Sequence, residues 1–179
     1  MNEPTDVLET ERLRLLPSDE RHTHELRRGV AEFKARFGLS VALGLADFLP
    51  PEGNDATVVA EWDGFMIVPR REEMLIGFCA SRKFPDAEGA VEIAYGIAPG
   101  FQGQGLATEA TRALAERALR RPEVRAVTAN TRPELNASTR VLTKCGFKRT
   151  GEVMDSDVGR SWRWELSRQP FGDEVEREA

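Results

Sequence analysis

Val91-Glu92-Ile93-Ala94-Tyr95-Gly96-Ile97-Ala98-Pro99-Gly100-Phe101-Gln102-Gly103-Gln104-Gly105-Leu106-Ala107-Thr108-Glu109-Ala110 is the stretch on which the fold turns. Val91 to Ala98 predicts a strand, and Pro99-Gly100 breaks it. A helix follows from about Ala107 to Arg121, with Ala107, Ala110, Leu114, Ala118 and Leu119 on one side and Pro122 at its end. A glycine-rich turn at a helix start leaves backbone N–H groups without helical partners. Glycines let an anion approach that backbone, and the helix dipole attracts it, so a phosphate or pyrophosphate fits there. Three sequence patterns make such a turn. The P-loop needs Gly-Lys-Ser or Gly-Lys-Thr, and neither occurs. The dinucleotide fingerprint needs Gly-x-Gly-x-x-Gly/Ala, but here Gly103-x-Gly105-x-x ends on Thr108, after a run of strands rather than at the opening of a βαβ unit. The third pattern, Gln/Arg-x-x-Gly-x-Gly/Ala, is matched by Gln102-x-x-Gly105-x-Ala107.

On the N-terminal side, residues 7–16 predict a first strand, with Leu13, Leu15 and Leu16 set among Arg12 and Arg14. Pro17-Ser18-Asp19-Glu20 opens a helix that Ser18 caps. Leu26, Val30, Phe33 and Phe37 lie on one face of it, and Gly38 stops it. Residues 38–55 read as an irregular, partly apolar loop. Thr57 to Trp62 and Phe65 to Val68 flank Asp63-Gly64, a two-residue hairpin signal. Met74 to Ser81 continues the meander, and Asp86-Ala87-Glu88-Gly89 turns into the Val91 strand. After the helix come a strand over Val124 to Thr131, a short helix over Ala137 to Cys145 closed by Gly146, and a final strand pair over 147–154 and 161–167. The order of elements predicts an α/β (α+β) fold with a mixed sheet in one domain, residues 1–167, followed by a loose acidic tail over 168–179.

The chain has 179 residues with 25 basic and 30 acidic side chains, a net charge of −5. Of that, −3 sits in the last seven residues. This balance argues against gripping nucleic acid. The longest apolar run, Phe65 to Val68, is four residues. A membrane span needs about twenty, so no membrane partner is expected. The first residues, Met1 to Asp6, carry no basic and apolar leader. Two cysteines, Cys79 and Cys145, are too few for a disulfide framework and read as reduced thiols of a cytoplasmic protein. His22 and His24 have no cysteine beside them and poor ligand spacing, so no metal is expected.

The turn Gln102-x-x-Gly105-x-Ala107 resembles the acyl-CoA pyrophosphate loop of the GNAT superfamily of N-acetyltransferases. Two flanks share the resemblance. Asn136-Ala137-Ser138-Thr139-Arg140-Val141-Leu142-Thr143-Lys144-Cys145-Gly146-Phe147 is similar to the family's Asn-x-x-Ser/Ala, short helix and Gly-Phe. Glu9-Thr10-Glu11-Arg12-Leu13-Arg14-Leu15 and Trp162-Arg163-Trp164-Glu165-Leu166 resemble the first and last strands of its ribosomal-protein N-terminal acetyltransferase branch. The likeness covers residues 8–167. It implies a GNAT-type fold, a mixed sheet of about seven strands with flanking helices. It also implies acetyl-CoA as cosubstrate, a primary amine as acceptor and no metal. Family members are often homodimers. The strand before the loop would splay from its neighbour and offer backbone groups of Ile97 and Ala98 to pantetheine. The N–H groups of Gly103, Gln104, Gly105, Leu106, Ala107 and Thr108 would hold the pyrophosphate. Gln102 belongs to the same loop, and Asn136 would hold the pantetheine arm.

An amine is mostly protonated at neutral pH and needs a base. Glu92 resembles the glutamate that serves so in several GNAT enzymes, or it is a solvent-facing strand residue. Many members use a tyrosine four residues before the glycine of Gly-Phe as acid, but Leu142 stands there. Ser138 occupies the place of the serine that serves instead in the N-terminal acetyltransferase branch, or it caps the helix start. Tyr95, the single tyrosine, reads as a packed aromatic or an acid. Trp62, Trp162 and Trp164 read as core or as an amine pocket. Loop acids Glu52, Asp55, Asp155 and Asp157 read as solvated. A non-catalytic acyl-CoA-binding sensor or interaction module is the alternative to an enzyme.

Overall fold

Strands rich in Val, Ile, Leu and Phe need cover, and this chain supplies amphipathic helices. The structure is a computed structural model that describes residues 6–46, 61–155 and 159–168. In chain order it runs β1 (Leu8–Glu9), β2 (Leu13–Ser18), α1 (Glu20–Arg28), α2 (Val30–Phe37), β3 (Ser40–Val41), β4 (Trp62–Pro69), β5 (Met74–Leu75), β6 (Gly77–Arg82), β7 (Ala90–Ile97), α3 (Leu106–Leu119), β8 (Ala126–Thr131), α4 (Ala137–Lys144), β9 (Lys148–Asp155) and β10 (Gly159–Ser167). Eight strands form one sheet in the order β1-β2-β4-β6-β7-β8-β10-β9. The mixed sheet matches expectation. The eighth strand arises because Leu8–Glu9 pairs with Arg14 and Leu15 as a separate short edge. β3 and β5 form a small parallel pair.

Strand register sorts the side chains into two faces, because directly opposed residues point the same way. Leu13 and Leu15 of β2, Phe65 and Ile67 of β4, Cys79 of β6, and Ile93, Tyr95 and Ile97 of β7 share one face. α3 covers it. Leu106, Ala110, Leu114 and Ala118 recur every four residues along α3 and are all buried, and Arg117 lies 5.4 Å over the Phe65 ring. The opposite face carries Met66 and Val68, also buried, and further along it Glu92, Thr128 and Asn130. On α1 and α2 the buried side chains are Glu25, Leu26 and Phe33. Each fully buried side chain of this size contributes about 1.5–3 kcal/mol.

Three local expectations change. Asp63-Gly64 makes no hairpin. It lies inside β4, where Gly64 faces Ser18 of β2 and Ala80 of β6. A side chain at 64 would sit 3.3 Å from the Ser18 carbonyl, so glycine serves close strand approach there. The α1 cap is Asp19, which accepts from the Arg21 N–H in a reciprocal box with His22; Ser18 is the last residue of β2. The first helix is broken at Gly29 (φ 155°) into two, and Val30 is exposed. Gly38 ends α2 in the left-handed region as expected. Residues 47–60, with Phe48, Leu49, Glu52, Asp55 and the strand expected from Thr57, lie outside the described residues, as do Asp157 and the tail over 169–179. Among the described residues no helix is long and apolar enough to cross a membrane.

Candidate active site

β7 and β8 run parallel but pair only at Ala90, Val91 and Glu92 with Ala126, Val127 and Thr128. Beyond these positions β7 continues to Ile97 and β8 to Thr131, so the two strands part and leave a wedge. On its other edge β7 stays paired with β6 to Ile97, and the Ala98 N–H donates to Ile76 O at 2.8 Å. Bonded and non-bonded pairs alternate along an antiparallel ladder. Gly96 and Ala94 therefore turn their backbone groups to β6, and Ile97 and Tyr95 turn theirs into the wedge. Of the two residues expected to offer backbone groups there, Ile97 turns its N–H toward the wedge, and its carbonyl accepts from Gln102 Nε2. The Ala98 N–H is engaged by Ile76 O, and the Tyr95 backbone also faces away from β6.

A 3₁₀ turn over Pro99–Phe101 leads from this strand to α3. Gly103 and Gly105 both lie in the left-handed region, φ 75° and 78°, which glycine adopts without strain. Gly105 is the N-cap of α3 and makes no side-chain cap. The N–H groups of Leu106, Ala107 and Thr108 thus open outward at the positive end of a 14-residue helix. Gln102, Gly103 and Gln104 are exposed beside them. The Gln102 side chain turns back, its Nε2 donating to Ile97 O at 2.9 Å, and so ties the turn to the strand. From the far edge, Arg12 Nε and its backbone N–H donate to the Glu109 carboxylate, each at 2.7 Å, and Arg12 Nη1 donates to Gln104 O at 2.9 Å. The Thr10 hydroxyl also donates to Glu109. Partial burial would raise the Glu109 pKa; the Thr10 and Arg12 hydrogen bonds outweigh it and hold the carboxyl below its ordinary value.

Glu92 stands at the last paired position before the wedge, on the face away from α3. Asn130, two residues beyond its partner Thr128, donates from Nδ2 to Glu92 Oε1 at 3.1 Å. The Asn130 Oδ1 is buried with no hydrogen-bond partner among the described residues. Toward Ile97 the same face of β7 carries Ala94 and Gly96, whose side chains are the smallest available.

Across the sheet, on the α3 face, the Tyr95 hydroxyl donates to Ser138 O at 3.2 Å. Burial pushes the Tyr95 phenol well above its ordinary value, with nearby Cys145 adding to the shift. Ser138 does not cap α4. Asn136 does, accepting the Thr139 N–H at 3.0 Å, while Thr139 Oγ1 accepts the Asn136 N–H. This leaves the Ser138 hydroxyl without a partner among the described residues, and leaves Asn136 Nδ2 as a donor. Leu142, in the place of the family tyrosine, is fully buried. Trp164 is core, donating to Thr131 Oγ1 at 3.0 Å. Trp162 packs under Arg149 at 4.4 Å on the α3 face, away from Glu92. Trp62 stacks with Arg82 at 5.0 Å. Among the described residues no three His, Cys, Asp or Glu gather as metal ligands.

Glu92 and Ser138 thus lie toward opposite faces of β7, the strand that borders the wedge. Asn130, which bonds Glu92, and the Tyr95 backbone stand beside them and were not among the expected site residues. The one available signal for Asn130 was a lone amide in the otherwise apolar or threonine strand Ala126–Thr131.

The family model for the acetyltransferase (GNAT) domain matches residues 17–148, which spans α1 through α4 and the whole wedge. The chain belongs to the acetyltransferase (GNAT) family. A curated relative, the uncharacterized N-acetyltransferase p20 of Bacillus licheniformis, is 24% identical over 107 residues. The match spans 60% of this chain and 60% of p20. Among solved structures, RimL, a ribosomal L7/L12 alpha-N-protein acetyltransferase bound to coenzyme A, superposes with a TM-score of 0.64 over 90% of this chain and 98% of RimL. At 19% identity that likeness shows the GNAT fold alone. The aminoglycoside acetyltransferase AAC(6')-Ib, solved with coenzyme A and kanamycin, is 26% identical with a TM-score of 0.55, over 63% of this chain and 72% of that one. In this GNAT chain the wedge opens between two central strands, and the turn that leaves β7 leads directly into the uncapped start of α3.

Proposed function

We propose that this GNAT chain moves an acetyl group from acetyl-CoA to a primary amine by direct attack in a ternary complex. One observation carries the reading: the strands part beside a glycine turn whose helix start has no side-chain cap. An extended pantetheine fits the wedge as an added strand, meeting the backbone of Tyr95 and Ile97. Its pyrophosphate then falls on the N–H groups from Gly103 to Thr108. Asn136 Nδ2 reaches the arm from α4. The Ile97 N–H faces the acetyl carbonyl and stabilises the oxyanion that forms when the amine nitrogen bonds to carbon. Glu92, directly or through a water, takes the amine proton. The C–S bond breaks, and Ser138 hydrogen-bonds the departing thiolate from the opposite face. Free Cys79 and Cys145 fit a reducing compartment such as the cytoplasm.

RimL and AAC(6')-Ib differ in acceptor, a protein α-amine for one and an aminoglycoside for the other. The acceptor classes to test are accordingly peptide N-termini and aminoglycosides. A second reading, coenzyme binding without turnover, is favoured by Leu142, which is core where the family acid stands.

Calorimetry with coenzyme A, followed by thiol release from acetyl-CoA with a serine-led peptide and with kanamycin, tests both. The expected result is turnover that Glu92→Gln lowers at least about a hundredfold while coenzyme A affinity holds within twofold. Binding with no thiol release from either amine would favour the second reading.

A further inference from the structure

We propose that Arg12, from the segment joining β1 to β2, is the cation of the coenzyme's anion site. The proposal rests on the acetyl-CoA reading and adds to it a residue outside the glycine turn. Residues 99–108 contain no Lys or Arg, and the first charged side chain after them is the acid Glu109, in the first turn of α3. A pyrophosphate bound there would meet backbone N–H groups, the partial positive charge of a helix end, and an opposing carboxylate. The pattern Gln/Arg-x-x-Gly-x-Gly/Ala allows an arginine at its first position. Here that residue is Gln102, whose amide is turned onto Ile97 O. The turn by itself supplies no cation.

Arg12 supplies one from 92 residues away. Its guanidinium neutralises Glu109 through Nε, its backbone N–H adds a second hydrogen bond to that carboxylate, and Nη1 holds Gln104 O. These bonds lay the guanidinium against the turn, with Nη2 3.4 Å from where a Cβ on Gly105 would stand. Nη2 has no hydrogen-bond partner among the described residues, and the side chain is 47% exposed. A planar fork with two arms engaged and one open suits a phosphate oxygen better than a lysine would. The arrangement cancels the unfavourable carboxylate and offers one charged donor to the anion.

A strut that merely steadies the turn would depend equally on Arg12 and Glu109. A charge donor would not, since removing Glu109's charge leaves the cation in place. Calorimetric titration of the full chain with coenzyme A, at low and at moderate salt, separates the two. Arg12→Gln is expected to raise Kd at least tenfold and to flatten its salt dependence. Arg12→Lys, which keeps the charge and loses the fork, falls between, and carries the test if the glutamine variant does not fold by circular dichroism. Glu109→Gln is expected to bind coenzyme A at least as tightly as the parent. Arg12→Gln binding within twofold of the parent at both salt levels would overturn the proposal. So would a loss in Glu109→Gln equal to that in Arg12→Gln. If the parent itself binds no coenzyme A, the acetyl-CoA reading falls, and the Arg12 proposal with it.

Discussion

Gly77 opens β6 and faces Ile97 at the end of β7 that borders the wedge. A methyl group built on Gly77 overlaps the Gly96 carbonyl oxygen and stands 3.2 Å from Ile67 Cδ1 and 3.3 Å from Ile97 Cα. Two of these neighbours are backbone, so rotamer changes cannot absorb the overlap. β6 and β7 must separate by about 1 Å to restore van der Waals contact. Overpacking of this kind costs about 1–3 kcal/mol. For a chain of this length that corresponds to a Tm loss of roughly 2–12 °C. The displaced segment is the one that turns Tyr95 and Ile97 toward the wedge. A misplacement of about 1 Å there is expected to lower kcat/KM for acetyl-CoA by up to about a hundredfold. Gly151→Ala on β9 is the control, because a Cβ there meets nothing within 4 Å; its stability should change by less than about 0.5 kcal/mol. Thermal unfolding followed by circular dichroism and thiol-release kinetics read the two effects. Gly77→Ala with the control's Tm and unchanged kinetics would refute the close approach of β6 and β7 and the placement of the wedge that follows from it.

Two further outcomes are expected. Thr111→Val should stabilise the fold by about 1 kcal/mol, because the Thr111 hydroxyl is fully buried without a partner among the described residues; a higher urea midpoint at constant m-value shows it, and a lower midpoint refutes it. Tyr95→Phe should lower kcat less than Ser138→Ala does, since burial raises the phenol's pKa, keeping it protonated through neutral pH and making it a poorer acid; a tyrosine limb in the kcat–pH profile below pH 9, absent in the phenylalanine variant, would contradict this.

Much of the fold was legible because short-range chemistry writes it. Apolar side chains four apart mark α3, Gly38 and Gly146 adopt the left-handed conformation that ends helices, and Gly103 and Gly105 supply the turn that opens α3. Local signals failed where distant chain competes with them. Asp63-Gly64 has the chemistry of a hairpin turn, yet pairing with β2 on one side and β6 on the other holds it extended. Ser18 and Asp19 are both good caps. The pairing of Ser18 with Gly64 keeps it in a strand and leaves the cap to Asp19. Ser138 yielded its cap to Asn136, two residues earlier, because Thr139 completes the reciprocal box.

The sequence by itself determined the strand, the glycine turn and the helix, since backbone sterics and hydrophobic period act within a few residues. Only the tertiary structure decided where β7 leaves β8, which backbone groups face the gap, and that Asn130 and Arg12 meet Glu92 and Glu109. Those contacts join residues 38 and 97 positions apart. They depend on sheet register, which is set by all the strands packing together and by no single segment.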